Sequence, residues 1–219
     1  MKRIMETEFI YWPHFTPVGI KVEEVSGGEN RTGAVWRALA MQVYCENGRG
    51  GYRELRHRES GAPYIEGEEE RISVTHTSGL LAVASLPRTP EADLEKFSPR
   101  TALGIDAECW NREKVCQLRE RFLSEEELSL APPDDVKASI LAWTAKEALY
   151  KAALTPGLDF RRDIKISTLP NPDDGTVGKA LVRIGESKEQ VEMELYSYTS
   201  ENCCVTLAYS PKCAKYKKK

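Results

Sequence analysis

The segment from 134 to 154 constrains this chain more than any other. It lies between two breaks, Pro132-Pro133 and Thr155-Pro156-Gly157, and carries the strongest helical signal in the sequence. At about 100° per residue, Val136, Ile140, Trp143, Tyr150 and Leu154 fall on one stripe, and Glu147 and Lys151 fall inside the same stripe. Charges belong opposite an apolar face, not within it. One reading is an i,i+4 surface salt bridge worth a few tenths of a kcal/mol. The other is a partly buried pair, which costs several kcal/mol unless something compensates it. A metal and a phosphate would compensate both charges.

A second feature lies some 35 residues earlier. Residues 103–108 read as a strand, and period-two geometry places Leu103, Ile105 and Ala107 on one face and Gly104, Asp106 and Glu108 on the other. The two carboxylates then stand roughly 7 Å apart along the strand. A solvated strand face would explain them, and so would a hard cation such as Mg²⁺, which takes oxygen ligands. His76 follows a strand and faces the turn Thr77-Ser78-Gly79, either as a structural hydrogen-bonder or as a phosphate contact.

The rest of the chain supplies a frame. Helices are predicted over 34–44 and 112–122, with another starting at Ser124; strands over 72–75, 80–86, 180–184, 191–198 and 203–209; and a turn over 171–175. Strands and helices without regular alternation favour an α+β fold. The proline-bearing, polar stretch 88–100 reads as a crossover. It divides the chain into an N-terminal half, 1–102, and a C-terminal half, 103–219. With 31 basic and 34 acidic side chains the net charge is −3, which argues against a dedicated nucleic-acid binder. No apolar run approaches the roughly 20 residues that span a bilayer, and no secretory leader is evident, so a cytoplasmic protein is expected. Its six cysteines would then stay reduced, mostly as core filler. There is no GxxxxGK[ST] loop, no GxGxxG after a strand and no HExxH.

Gly104-Ile105-Asp106-Ala107-Glu108, followed by Trp143-Thr144-Ala145-Lys146-Glu147-Ala148-Leu149-Tyr150-Lys151, resembles the paired motif of the 4′-phosphopantetheinyl transferases. Ser73-Val74-Thr75-His76-Thr77, Ser60-Gly61-Ala62-Pro63-Tyr64 and Arg121-Phe122-Leu123-Ser124 are similar to stretches of that family's larger, pseudo-dimeric class, the surfactin-synthetase-activating type. The resemblance implies two similar α+β halves related by a pseudo-two-fold, with coenzyme A in the cleft between them. It implies Mg²⁺ on Asp106, Glu108 and Glu147, and the pyrophosphate on Lys146 and Lys151. His76 and Thr75 would meet phosphates at the adenosine end, the turn to Pro63 would lie against adenine, and Arg37 would pair with the 3′-phosphate. Ala62 stands where the family has lysine, and Thr75 where it has serine.

On the same resemblance, a serine of an apo acyl or peptidyl carrier protein attacks the phosphate bearing pantetheine and 3′,5′-ADP departs. Glu147 would serve as base and Lys151 as partner of the leaving group. Neither membrane nor nucleic acid takes part, and the chain would act as a monomer. Two rivals keep part of this picture: a coenzyme A binding or carrier-protein adaptor without catalysis, and an unrelated Mg²⁺-dependent phosphate enzyme such as a nucleotide hydrolase.

Overall fold

A computed structural model of the 219-residue chain describes residues 19–24, 54–59, 61–65, 71–78, 80–85, 102–185 and 189–210. The expected helix over 34–44, the crossover over 88–100, Arg37 and the lysine-rich end lie outside the described residues. Among the described residues every strand pairing is antiparallel, and the result is a mixed α and β fold with few helices.

Strand β1 (Gly19–Glu24) joins β4 (Ile72–Thr77) and β5 (Leu80–Ser85) in a three-stranded sheet of order β1-β5-β4. Between them in sequence, β2 (Leu55–His57) and β3 (Pro63–Ile65) form a hairpin. Its turn runs through Gly61 at φ +81°, a backbone that suits only glycine well. In the second half, β6 (Ala102–Cys109), β7 (Ile164–Thr168), β8 (Gly178–Ile184), β9 (Glu189–Thr199) and β10 (Cys203–Ser210) form a five-stranded sheet of order β6-β10-β9-β8-β7. Helix α1 (Lys114–Phe122), a 3₁₀ helix (Glu125–Leu130) and helix α2 (Val136–Ala153) lie in sequence between β6 and β7, the two edges of that sheet. Among the described residues no helix is long and apolar enough to cross a membrane.

Burial follows from layering. β8 and β9 alternate buried and more open residues, the pattern of a sheet covered on one face, whereas all of β6 and β10 is buried. On one side, Leu103, Ile105, Ala107, Val205, Leu207 and Tyr209 pack with Leu80, Ala82 and Ala84 of β5. On the other, α2 covers the sheet. Ala148 and Ala208 share a core cluster there, and the Thr144 and Thr206 hydroxyls lie 2.8 Å apart. Each large apolar side chain so buried is worth about 1.5–3 kcal/mol.

Gly104 sets how closely α2 approaches. A Cβ at that position would stand 2.1 Å from the Ala148 carbonyl oxygen and 2.5 Å from the Ala152 amide nitrogen, so the helix backbone rests directly on the strand. This contact also explains a correction to the expected apolar stripe. The buried face of α2 is Ser139, Ile140, Ala142, Thr144, Ala145, Lys146, Ala148, Leu149 and Ala152. Val136, Trp143 and Tyr150 are only half-buried, and Leu154, the C-cap at φ 47°, is exposed. Small side chains face the sheet because a helix this close has no room for large ones. Trp143 instead packs edge-on against Phe122, with ring centroids 5.1 Å apart.

The two sheets meet at their edges. Ile105 N donates to Ser73 Oγ (3.0 Å), Thr75 Oγ1 to Asp106 Oδ1 (3.0 Å) and Thr77 Oγ1 to Glu108 Oε1 (2.9 Å). The two side-chain pairs keep the same separation of 31 residues, so β4 and β6 run side by side in the same direction. Arg71, just before β4, donates to the Ala152 carbonyl in the last turn of α2, where positive charge is favoured.

Candidate active site

Asp106 and Glu108 face the α2 side of β6, as the alternation predicts, but they are not on a solvated face. Both are buried. The Asp106 carboxylate accepts from Lys151 Nζ at 2.6 Å and from Thr75, and the same Nζ donates to the Ile105 carbonyl at 3.1 Å. Glu108 accepts from Thr77, from the Cys109 amide at 3.1 Å and from Arg112. Glu147, half-buried on α2, is near enough for the charges of Asp106, Lys151 and Glu108 to act on it. Lys151 is therefore not engaged in the i,i+4 salt bridge with Glu147; its recorded ion pair is across to the strand.

The electrostatics of this group are those of acids with too little compensation. Burial lifts the Asp106 carboxyl above its ordinary value; Lys151 and Thr75 pull it back, and Glu108 adds to the rise. Burial also lifts Glu147, followed by repulsion from Asp106, against the opposing pull of Lys151. Among the described residues, Asp106 and Glu147 are raised by burial and by neighbouring acids, with Lys151 opposing, so further positive charge would relieve both. On the open side, His76 is exposed, and partial burial together with Lys151 lowers its pKa.

Several expected contacts fall elsewhere. Thr75 is buried and its hydroxyl is spent on Asp106, so it buttresses the acid and is not turned out towards a phosphate. Lys146 also points inward. Its ammonium is sealed in the interior, donating to Glu127 Oε1 (2.6 Å), the Phe160 carbonyl (2.8 Å) and the Ile164 carbonyl (2.6 Å). The three N–H groups have three acceptors and none remains for a pyrophosphate. Pro63 is half-buried at the start of β3, paired with His57.

Two residues that sequence reasoning missed are tied to motif side chains by ion pairs. Arg112 stands four residues beyond Glu108, and the sequence marks it only as the start of a helix; its i,i+4 spacing from a motif acid is the one signal that points to the pair. Glu127 was read only as part of an acidic first turn. Nothing in the sequence ties it to Lys146, 19 residues later.

The all-oxygen donor set of Asp106, Glu108 and Glu147 is of the chemical kind that Mg²⁺ takes. Among the described residues, no group of three or more His, Cys, Asp or Glu closes on a common point as a metal cage would. Lys151 and Arg112 hold the cationic positions at Asp106 and Glu108 in this arrangement. Among the described cysteines, Cys109, Cys203 and Cys204 are buried thiols, and burial pushes Cys204 up to about 12.

Residues 102–207 match the family model described as the 4′-phosphopantetheinyl transferase superfamily. The match starts on the first residue of β6 and ends within β10, and so contains Asp106, Glu108, Glu147 and Lys151. No curated protein matches the sequence.

Proposed function

We propose that this chain transfers the 4′-phosphopantetheine group of coenzyme A to a serine of an apo acyl or peptidyl carrier protein, releasing 3′,5′-ADP. One observation carries the reading: the buried acids of β6, Glu147 and Lys151 converge inside the stretch that matches a phosphopantetheinyl transferase superfamily. Asp106, Glu108 and Glu147 would hold Mg²⁺. When bound, the ion would neutralise charge on the pyrophosphate oxygens.

The protein's own groups divide the work. Glu147 takes the proton of the carrier serine as its oxygen attacks the phosphorus that bears pantetheine. The bond from that phosphorus to the oxygen of 3′,5′-ADP breaks. Lys151, part-exposed and only four residues from Glu147, meets the charge that grows on the departing phosphate. Thr75 and Thr77 keep the two β6 acids in place, and His76, within reach of the Lys151 charge, lines the same mouth. Pro63, on the hairpin that lies against β4, would border the adenine.

The larger, two-halved class is the finer reading, supported by the abutment of the β4 and β6 edges, which places residues of both halves around the acids. The protein would act as a cytoplasmic monomer. Purified protein, incubated with coenzyme A, Mg²⁺ and a panel of apo-carriers, should add the mass of one phosphopantetheine to at least one of them. No mass gain on any carrier would overturn the proposal.

A further inference from the structure

Lys146 and Glu127 form a node tied to more of the second half than any site residue is. Glu127 Oε1 accepts from Lys146 Nζ and from the Ile166 amide (2.6 Å), while Oε2 accepts from the Ser124 amide (2.8 Å). Lys146 adds the carbonyls of Phe160 and Ile164. The pair thereby joins α2, the entrance of the 3₁₀ helix, the turn before β7, and β7 itself. It is closed to water: Lys146 is completely buried and Glu127 is 2% exposed. Every donor and acceptor that the node presents is matched, the condition under which a buried ion pair fixes one geometry.

The node also controls a rotation. A helix turns about 100° per residue, so anchoring Lys146 towards β7 fixes the direction in which Glu147, the next residue, leaves the helix. The second fixed point is the contact of Ala148 and Ala152 with Gly104. A helix held at these two azimuths can present Glu147 and, one turn on, Lys151 only to the acid side of β6. We propose that Lys146 is a positioning residue, with Glu127 as its buried counter-ion, whose task is to set the rotation of α2 and so aim Glu147 and Lys151 at Asp106, and that it makes no contact with coenzyme A. The inference rests on the transfer reaction proposed above for its catalytic consequence, and on geometry alone for its structural one.

The test uses the full chain with Glu127→Gln, Lys146→Met and the double change Glu127→Leu/Lys146→Met, each measured by urea midpoint and, with coenzyme A and an apo-carrier, by kcat and KM. Each single change strands a polar partner in the interior, so both should lower the midpoint. They should also lower kcat by about 10²-fold, the scale of a small misplacement of reacting groups, while KM for coenzyme A stays within about twofold, since no binding contact is lost. The double change removes both charges but leaves the Ser124 and Ile166 amides and the Phe160 and Ile164 carbonyls without these partners. Midpoint and kcat should therefore recover in part, to values above those of either single variant, although the lysine charge is gone. A double variant with a partly restored midpoint but a raised KM for coenzyme A would overturn the inference, for it would show Lys146 meeting the phosphates. Single variants with an unchanged midpoint would overturn it as well. Should a single variant fail to fold, recovery in the double variant still decides. If the wild-type protein modifies no carrier, the transfer reading falls on its own, and midpoints together with amide exchange at Ile166 still test the node.

Discussion

Two lysines on one helix make the same short contact and are put to opposite uses. Lys146 Nζ lies 2.6 Å from Glu127, and Lys151 Nζ lies 2.6 Å from Asp106. The first pair has side-chain exposures of 0% and 3%, the second 31% and 11%. Burial therefore separates them, not distance. A sealed ammonium with three fixed acceptors cannot take a new partner without breaking the interior. An ammonium at the rim can leave its carboxylate for a phosphate, because water covers the exchange. Counting salt bridges would miss this; where each one sits gives it a role.

The largest expected effect breaks the comparison at its sealed end. Glu127→Ala should cost about 3–5 kcal/mol, because it leaves an ammonium buried alone. The matching change at the other pair, Asp106→Ala, should cost less, because the Lys151 ammonium it leaves is 31% exposed and keeps water as a partner, and removing one of two mutually repelling acids can raise the melting temperature. Equal losses in urea midpoint for the two variants would erase the distinction drawn here.

Activity should rank the pairs in reverse. Glu147→Gln, Asp106→Ala and Glu108→Ala should each lower turnover by about 10²-fold or more in a protein that still folds. Lys151→Ala should lower kcat more than it raises KM for coenzyme A, since the lysine meets charge that develops during transfer. Steady-state rates on a modified carrier would check all four. Native turnover in Glu147→Gln would remove it as the base.

A pH series sharpens the contrast. Burial pushes Lys146 down to about 8, from an ordinary 10.5, so between those values the unfolded chain holds the extra proton. Stability contributed by this group should then rise with pH across that window. Relative to the Glu127→Leu/Lys146→Met variant, the wild type should gain as pH climbs, as read from urea midpoints at successive pH values. A flat difference would mean that the lysine titrates as it does in the unfolded chain. The smallest effect belongs to the buttresses: Thr77→Val should cost about 0.5–1.5 kcal/mol by removing one hydroxyl from Glu108, visible as a small shift of the melting temperature.

What the sequence made legible was local. The long helix, strand β6 and the shared face of Asp106 and Glu108 follow from periods of 3.6 and 2, and the described fold keeps them within a residue or two. The sequence reading does not include strands β1, β2, β3 and β7: β2 and β3 are three residues each, and β1 and β7 are only six and five. The helix face was misread because side-chain size was taken as the mark of burial, whereas close packing on Gly104 selects alanines. Lys146, which the resemblance assigns to the pyrophosphate, has an interior partner that periodicity does not reveal. Its neighbours in sequence are the same whether it points inward or out, and its partner Glu127 belongs to a different element.

Gly104 carries one last consequence, for how a motif is to be interpreted. It sits among residues of chemical importance, yet it contributes no chemistry. A methyl group there would overlap the backbone at Ala148 and Ala152, and relieving it would push the last turn of α2, and Lys151 with it, away from the strand. Glycine at this position thus reports a distance between two backbones, and the acids beside it would report the proposed reaction. A descendant of this chain that had lost its activity but kept its architecture would be free to change Asp106 and Glu108 and would still be bound to keep Gly104. The two kinds of letter in one short word would then part company, and the acids alone would tell a working enzyme from its silent copy.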